Sequence, residues 1–202
     1  MASKLIKGVS DVTTYASWDA INDKAIVMWF FNNPVIQALL LQISIIWPNK
    51  YAAPWVPTSM VEVHKMLQLA KVRPDDLVYD LGCGDGRVII VAAHQYGSRA
   101  IGIEIDPLRY GWCQILITSL GLRDRVQVTY GDFFKKDLND ADGIICSLLP
   151  ATNHKLESKF MQELQANSRV VSHDFLFPRL QLLLQVDQYN LFRYHPQPYI
   201  DL

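Results

Sequence analysis

From Leu77 onward, short apolar runs alternate with longer mixed stretches. The runs Leu77–Leu81, Ala100–Ile105, Val126–Tyr130, Gly143–Leu148 and Arg169–Ser172 have the length of buried strands. Val88–Tyr96, Leu108–Leu120 and His154–Gln165, lying between them, have helical length and composition. Such alternation predicts an α/β domain, a mostly parallel sheet wound on both faces by helices. The last stretch has no room for another crossover helix. Leu180–Asp187 and Tyr189–His195 read as two strands joined by a short turn, which predicts an antiparallel pair at the sheet edge. Ahead of the alternating body, Thr58 is expected to cap a helix through about Ala70, with Val61, Met66, Leu67 and Leu69 as its apolar positions.

The front of the chain is patterned differently. Ala25 to Asn49 carry no charged residue, and Val35 to Trp47 is close to continuous hydrophobe. The uncharged run is long enough to cross a bilayer, with Trp29 and Trp47 where an aromatic belt would place them. Against a span stand Asn32, Asn33, Gln37 and Gln42, the break at Pro34, and the shortness of the dense part. It does not read as a signal peptide, because Asp11, Asp19 and Asp23 precede it and no small-residue cleavage site follows. A helix lying in a membrane surface, a full span, and a helix packed on protein all stay open for residues 25–47. The proline-spaced connector Pro48–Pro57 then marks a boundary. The expected division is an apolar helical segment and linker over 1–54 and the alternating α/β domain over 55–202.

Composition narrows the classes. The 202 residues are 50% hydrophobic and 19% charged, which excludes a disordered tail or a fibrous repeat. Nineteen Lys and Arg against twenty Asp and Glu give a net charge of -1, with no basic stripe, and this disfavours nucleic acid as a partner. Cys83, Cys113 and Cys146 are odd in number and widely separated, so an intracellular, reducing compartment fits best. The five histidines are scattered too, and no metal site is suggested.

The chemistry sits at the strand ends. Leu77–Leu81 runs into Gly82-Cys83-Gly84-Asp85-Gly86-Arg87 and then a helix, a turn that lets a ligand lie on bare backbone and offers N–H groups to an anionic part of it. Glu104, at the end of the second strand, can accept both hydroxyls of a ribose. A dinucleotide site would share that acid, but it needs G-x-G-x-x-G, whereas these glycines run G-x-G-x-G with Asp80 just ahead. A carboxylate there repels a pyrophosphate and suits S-adenosylmethionine, whose methionine end carries an ammonium and whose sulfur is cationic. Asp132, after the third strand, could accept the adenine amino group, with Phe133 lining the ring.

These residues resemble the class I S-adenosylmethionine-dependent methyltransferases, through Tyr79-Asp80-Leu81-Gly82-Cys83-Gly84-Asp85-Gly86-Arg87, the acid of Glu104 and the Gly131-Asp132 pair. More narrowly, Pro54-Trp55-Val56-Pro57-Thr58, Gly102–Pro107 and Arg169-Val170-Val171-Ser172 are similar to the small protein-lysine methyltransferases, a group that includes the ATP synthase c-subunit lysine methyltransferase. The resemblance implies a Rossmann-like, seven-stranded sheet with an abbreviated end. It also implies a cofactor held by Asp80, Gly82, Gly84, Gly86, Glu104 and Asp132, beside which Cys83 and Phe133 are the further candidate cofactor contacts. Members carry a hydrophobic segment ahead of the catalytic domain, as here.

The acceptor is less legible. The fourth strand ends in Cys146-Ser147-Leu148-Leu149-Pro150, without the Asn/Asp-Pro-Pro-Tyr/Phe signature of amino-directed nucleic-acid methyltransferases. An acceptor in an open parallel sheet would lie near Ser147 and, after the fifth strand, His173 and Asp174. These three are the candidate catalytic residues, with a loop or cap pair the plainer reading of His173 and Asp174. A protein lysine is the expected acceptor. A small molecule or lipid, or a non-catalytic cofactor-binding role, are the alternatives.

Overall fold

The computed structural model describes residues 29–46, 55–186 and 191–198. Its strands are β1 (Leu77–Leu81), β2 (Arg99–Glu104), β3 (Val126–Tyr130), β4 (Gly143–Cys146), β5 (Arg169–His173), β6 (Leu180–Val186) and β7 (Leu191–Pro198). Its helices are α1 (Pro34–Ile46), α2 (Met60–Leu69), α3 (Arg87–Tyr96), α4 (Pro107–Ser119) and α5 (Pro150–Glu163). The sheet runs β3-β2-β1-β4-β5-β7-β6. β1 to β5 are mutually parallel, and β7 lies antiparallel between β5 and β6. The expected antiparallel ending is therefore present, with the last strand inside and β6 at the edge.

Strand periodicity divides the core in two. Val78, Ala100, Val128, Ile145 and Val171 pack with α2, α3 and α4 on one face. Their neighbours Leu77, Tyr79, Leu81, Ile144, Cys146 and Val170 pack with Leu156 and Phe160 of α5 on the other. The edge pair is pinned by Tyr194, a fully buried residue whose hydroxyl accepts the Phe177 N–H at 3.0 Å. At the N-terminal ends of the strands, Arg169 clamps Asp76 at 2.9 Å, the Lys71 carbonyl at 2.9 Å and the Asp142 carbonyl at 3.1 Å. That end is closed by ion pairing, and the opposite end, where parallel strands point, is left for a ligand.

Several expected boundaries move for local reasons. Ser59, not Thr58, caps α2: its hydroxyl accepts from Glu62 N–H while Glu62 accepts from Ser59 N–H, a reciprocal capping box. Val61 is exposed, and Met60 and Val63 take the buried face instead. α5 begins at Pro150, earlier than expected, because a proline's missing N–H and fixed φ suit the first helical position. The β4 run ends at Cys146 rather than Leu148.

The apolar front is broken as its sequence suggests. Asn33 leaves the helical path, and its side chain accepts from Val35 N–H at 3.0 Å and Ile36 N–H at 3.3 Å, starting α1 anew at Pro34. Among the described residues no helix is long and apolar enough to cross a membrane. α1 touches the domain through Gln37, while Phe31 is buried and Phe30 meets the Trp112 ring edge-on at 6.1 Å. Residues 1–28 and the connector through 54 lie outside the described residues.

Candidate active site

A cleft of about 900 Å³, counting its open mouth, lies at the C-terminal ends of β1, β2 and β4. Its floor is the turn after β1. Gly82, Gly84 and Gly86 have φ of +82°, +58° and +84°, a left-handed course that side chains resist. Gly84 is doubly constrained, since a Cβ there would lie 2.4 Å from the Trp55 indole nitrogen. Four N–H groups of the turn are bonded within the protein: those of Gly82 and Cys83 to the Ile103 carbonyl, that of Gly86 to the Cys83 carbonyl and that of Gly84 to Glu104.

Besides Asp85 of the turn, three acids face the cleft, one from each of β1, β2 and the loop after β3. Asp80 is buried and lines the cleft. Desolvation, with Glu104 and Asp85 nearby, pushes its carboxyl up to about 8. Glu104 accepts from Gly84 N–H and Asp106 N–H, both at 2.8 Å, and Arg109 stands 3.5 Å away. Burial raises the Glu104 carboxyl, and Arg109 and the two N–H groups offset part of that rise. Asp132 caps a 3-10 turn through Phe134 N–H at 2.9 Å, and Phe133 beside it is buried against Phe134, ring centroids 4.8 Å apart.

The wall over the glycine turn comes from outside the motif. Arg87 pairs with buried Asp85 at 2.5 Å, donates to the Thr58 carbonyl and to Gln37 Oε1, and lies over the Phe31 ring at 5.4 Å. Trp55, Val56, Pro57 and Thr58 thus line the cleft, although their prolines mark them as linker in the sequence. Arg109 is likewise a lining residue that sequence reasoning missed, and its one signal was a cation in the first turn of the helix after Glu104.

The acceptor candidates converge. Ser147 is exposed in the cleft wall, and its Oγ lies 3.3 Å from His173 Nδ1, which is 3.4 Å from Asp174 Oδ2. His173 is buried at the end of β5, and its Nε2 is 3.5 Å from Glu62 of α2. The cysteines are free and buried. Burial pushes the Cys146 thiol up to about 12; at Cys83 the hydrogen bond with Cys113 and burial act the same way, which keeps both as thiols rather than nucleophiles.

A profile described as the ANTKMT methyltransferase domain matches residues 80–183, which hold all three acids and both strand ends of the acceptor side. The chain belongs to this methyltransferase family. A protein-lysine N-methyltransferase of Saccharolobus islandicus is 42% identical over 60% of this chain and 76% of its own length. The adenine nucleotide translocase lysine N-methyltransferase of Mus musculus is 36% identical over 66% of this chain. This chain spans 58% of that relative, a little over half. A crystal structure of an RNA methyltransferase from Salinibacter ruber with S-adenosyl-L-homocysteine is 36% identical, covering 72% of this chain and 97% of that one, at a TM-score of 0.67. The ANTKMT methyltransferase domain is accordingly a seven-stranded, Rossmann-like enzyme domain whose methyl donor is S-adenosylmethionine.

Proposed function

We propose that this methyltransferase domain modifies lysine side chains of a protein, with the cofactor held by Asp80, Gly82, Cys83, Gly84, Gly86, Glu104, Asp132 and Phe133. The observation that carries the cofactor site is Asp80. Burial and the neighbouring acids disfavour its charged form, and a cationic ligand lying in the cleft that Asp80 lines would restore it. Glu104 Oε1 accepts Asp106 N–H and faces Arg109, whereas Oε2 accepts Gly84 N–H and keeps a second lone pair for a hydroxyl. Asp132 spends one oxygen on its cap and keeps the other for an amino group.

S-adenosylmethionine supplies an activated methyl on a sulfonium. The chain's own task is positional: to hold the acceptor nitrogen in line at near-attack distance and exclude water. Trp55 and Leu148 wall the cleft with apolar surface, and Ser147 places a hydroxyl at its mouth. Lysine as acceptor is supported by the names of the Saccharolobus and mouse relatives. The Salinibacter enzyme's name favours RNA as a second reading. We assign catalysis to residues 55–202 in a reducing intracellular compartment. The apolar run 25–47 takes a contact role on a membrane or protein partner, supported by exposed Trp29, Val35, Leu39 and Leu41.

The test is to incubate the purified protein with methyl-labelled cofactor and a cell extract, then separate protein, RNA, lipid and small molecules. Label in protein that is released as methyl-lysine on hydrolysis is expected. Label confined to RNA or lipid moves the acceptor, and S-adenosylhomocysteine binding without any label makes the domain a non-catalytic binder. For the contact role, deleting residues 1–50 should abolish flotation with liposomes or a partner while cofactor binding survives. Flotation that persists without those residues refutes it.

A further inference from the structure

Four side chains from three separate parts of the chain meet beside the cleft mouth. His173 sits at the centre, with Ser147 Oγ 3.3 Å and Asp174 Oδ2 3.4 Å from Nδ1 and Glu62 Oε1 3.5 Å from Nε2. Glu62 and Asp174 are the charged groups that face the ring. Glu62 is fixed by its capping box through Oε2, which accepts Ser59 N–H at 2.9 Å, so Oε1 is the oxygen presented to the imidazole. Burial would raise the Glu62 carboxyl, but the Ser59 hydrogen bonds and the His173 ring together lower it, keeping it ionised.

The turn that carries His173 is built at a cost. Asp174 has φ +65°, an uncommon conformation for a side chain. The turn is held by the Ser172 hydroxyl donating to the Phe175 carbonyl at 2.6 Å and by the buried Asn153 amide donating to the same carbonyl at 3.1 Å. A packing turn needs no such fixing of an imidazole between two carboxylates. Ligand-free catalytic hydrogen bonds are commonly long, as these are.

We propose that Ser147, His173 and Glu62 form a proton relay that makes the acceptor lysine nucleophilic; this rests on the lysine reading above. A lysine ammonium titrates near 10.4 and has no lone pair to attack with. One proton passes from the ammonium to Ser147 Oγ as the serine's own proton passes to His173 Nδ1. Serine is left unchanged and the imidazole becomes cationic, stabilised by Glu62 and Asp174. The lysine nitrogen then bonds the methyl carbon, the carbon–sulfur bond breaks, and its electron pair stays on sulfur. The imidazolium returns its proton to water on the side of Asp174, whose carboxylate is 43% exposed. Ser147 touches the substrate, whereas His173 and Glu62 act through it.

The experiment measures kcat/KM against pH for the full-length protein and the variants His173→Gln, Ser147→Ala and Glu62→Gln, using a lysine-containing acceptor identified by the labelling above. His173→Gln and Ser147→Ala should lose about 100-fold at neutral pH. The loss should vanish near pH 10, where the lysine deprotonates unaided. Glu62→Gln, which removes the charge facing Nε2, should lose kcat/KM at neutral pH with the same recovery near pH 10. Ser147 is exposed, so its variant tests the relay even if the His173 variant does not fold. A deficit that is equal at every pH, or a Glu62→Gln variant with wild-type kcat/KM at neutral pH, overturns the relay and leaves lysine methylation standing. Wild-type protein that methylates no lysine at any pH overturns the underlying reading and the relay with it.

Discussion

Asp80→Asn separates the ligand-binding role of the first acid from any packing role. In the ligand-free protein the Asp80 carboxyl titrates near 8, so at pH 6 about one molecule in a hundred carries the charge that a ligand ammonium needs. Affinity for S-adenosylhomocysteine should therefore rise about ninefold from pH 6 to 7 and about 50-fold from pH 6 to 8, ~2.3 kcal/mol, and level off above. Calorimetry in buffers of different ionisation heat should show nearly one proton released on binding at pH 7. Asp80→Asn should bind weakly and lose both the slope and the proton. Stability moves the other way. The unfolded residue titrates near 3.8, so between about pH 4 and pH 8 the unfolded state has shed a proton that the folded state retains, and stability falls as pH rises through that window. The variant has no such penalty, so its melting temperature should fall less than that of the wild type as pH rises from 5 to 8. A wild-type affinity flat from pH 6 to 8, or the same slope in Asp80→Asn, would refute the reasoning.

Three further outcomes follow from the same geometry. Gly84→Ala places a Cβ in the left-handed region and 2.4 Å from Trp55, so it should cost roughly 1–3 kcal/mol of stability and weaken S-adenosylhomocysteine binding at least tenfold by calorimetry. Arg87→Ala leaves buried Asp85 without its cation and should cost about 3–5 kcal/mol in denaturant unfolding; an unchanged midpoint contradicts the pairing. With its thiol near 12, Cys146 should resist iodoacetamide at pH 8 in native protein and react once unfolded, and rapid native alkylation would reopen it as a nucleophile.

The strand–helix alternation carried the parallel half of the fold because buried parallel strands are short, apolar and spaced by crossover helices. The position of β7 between β5 and β6 was not legible, since strand order in an antiparallel pair depends on which edge mates with β5, and neither strand's pattern encodes that. The capping of α2 was legible, because Glu62 lies three residues after Ser59 rather than after Thr58. At the site, Asp80, Glu104 and Asp132 could be read as acids at consecutive strand ends. Trp55, Arg87's reach to Gln37 and the Glu62–His173 approach could not, because each joins segments far apart in sequence. The partners of the Gly82, Cys83, Gly84 and Gly86 N–H groups were not legible either, because Ile103 and Glu104 are brought to the turn by tertiary register.

The most direct test of the cofactor site is calorimetric titration of the full-length protein with S-adenosylhomocysteine, NADH as the control ligand, and Asp80→Asn and Asp132→Ala alongside. The account requires one saturable site for S-adenosylhomocysteine, none for NADH, and at least tenfold weaker binding in each variant. Folded protein that binds S-adenosylhomocysteine equally well in wild type and both variants would contradict it.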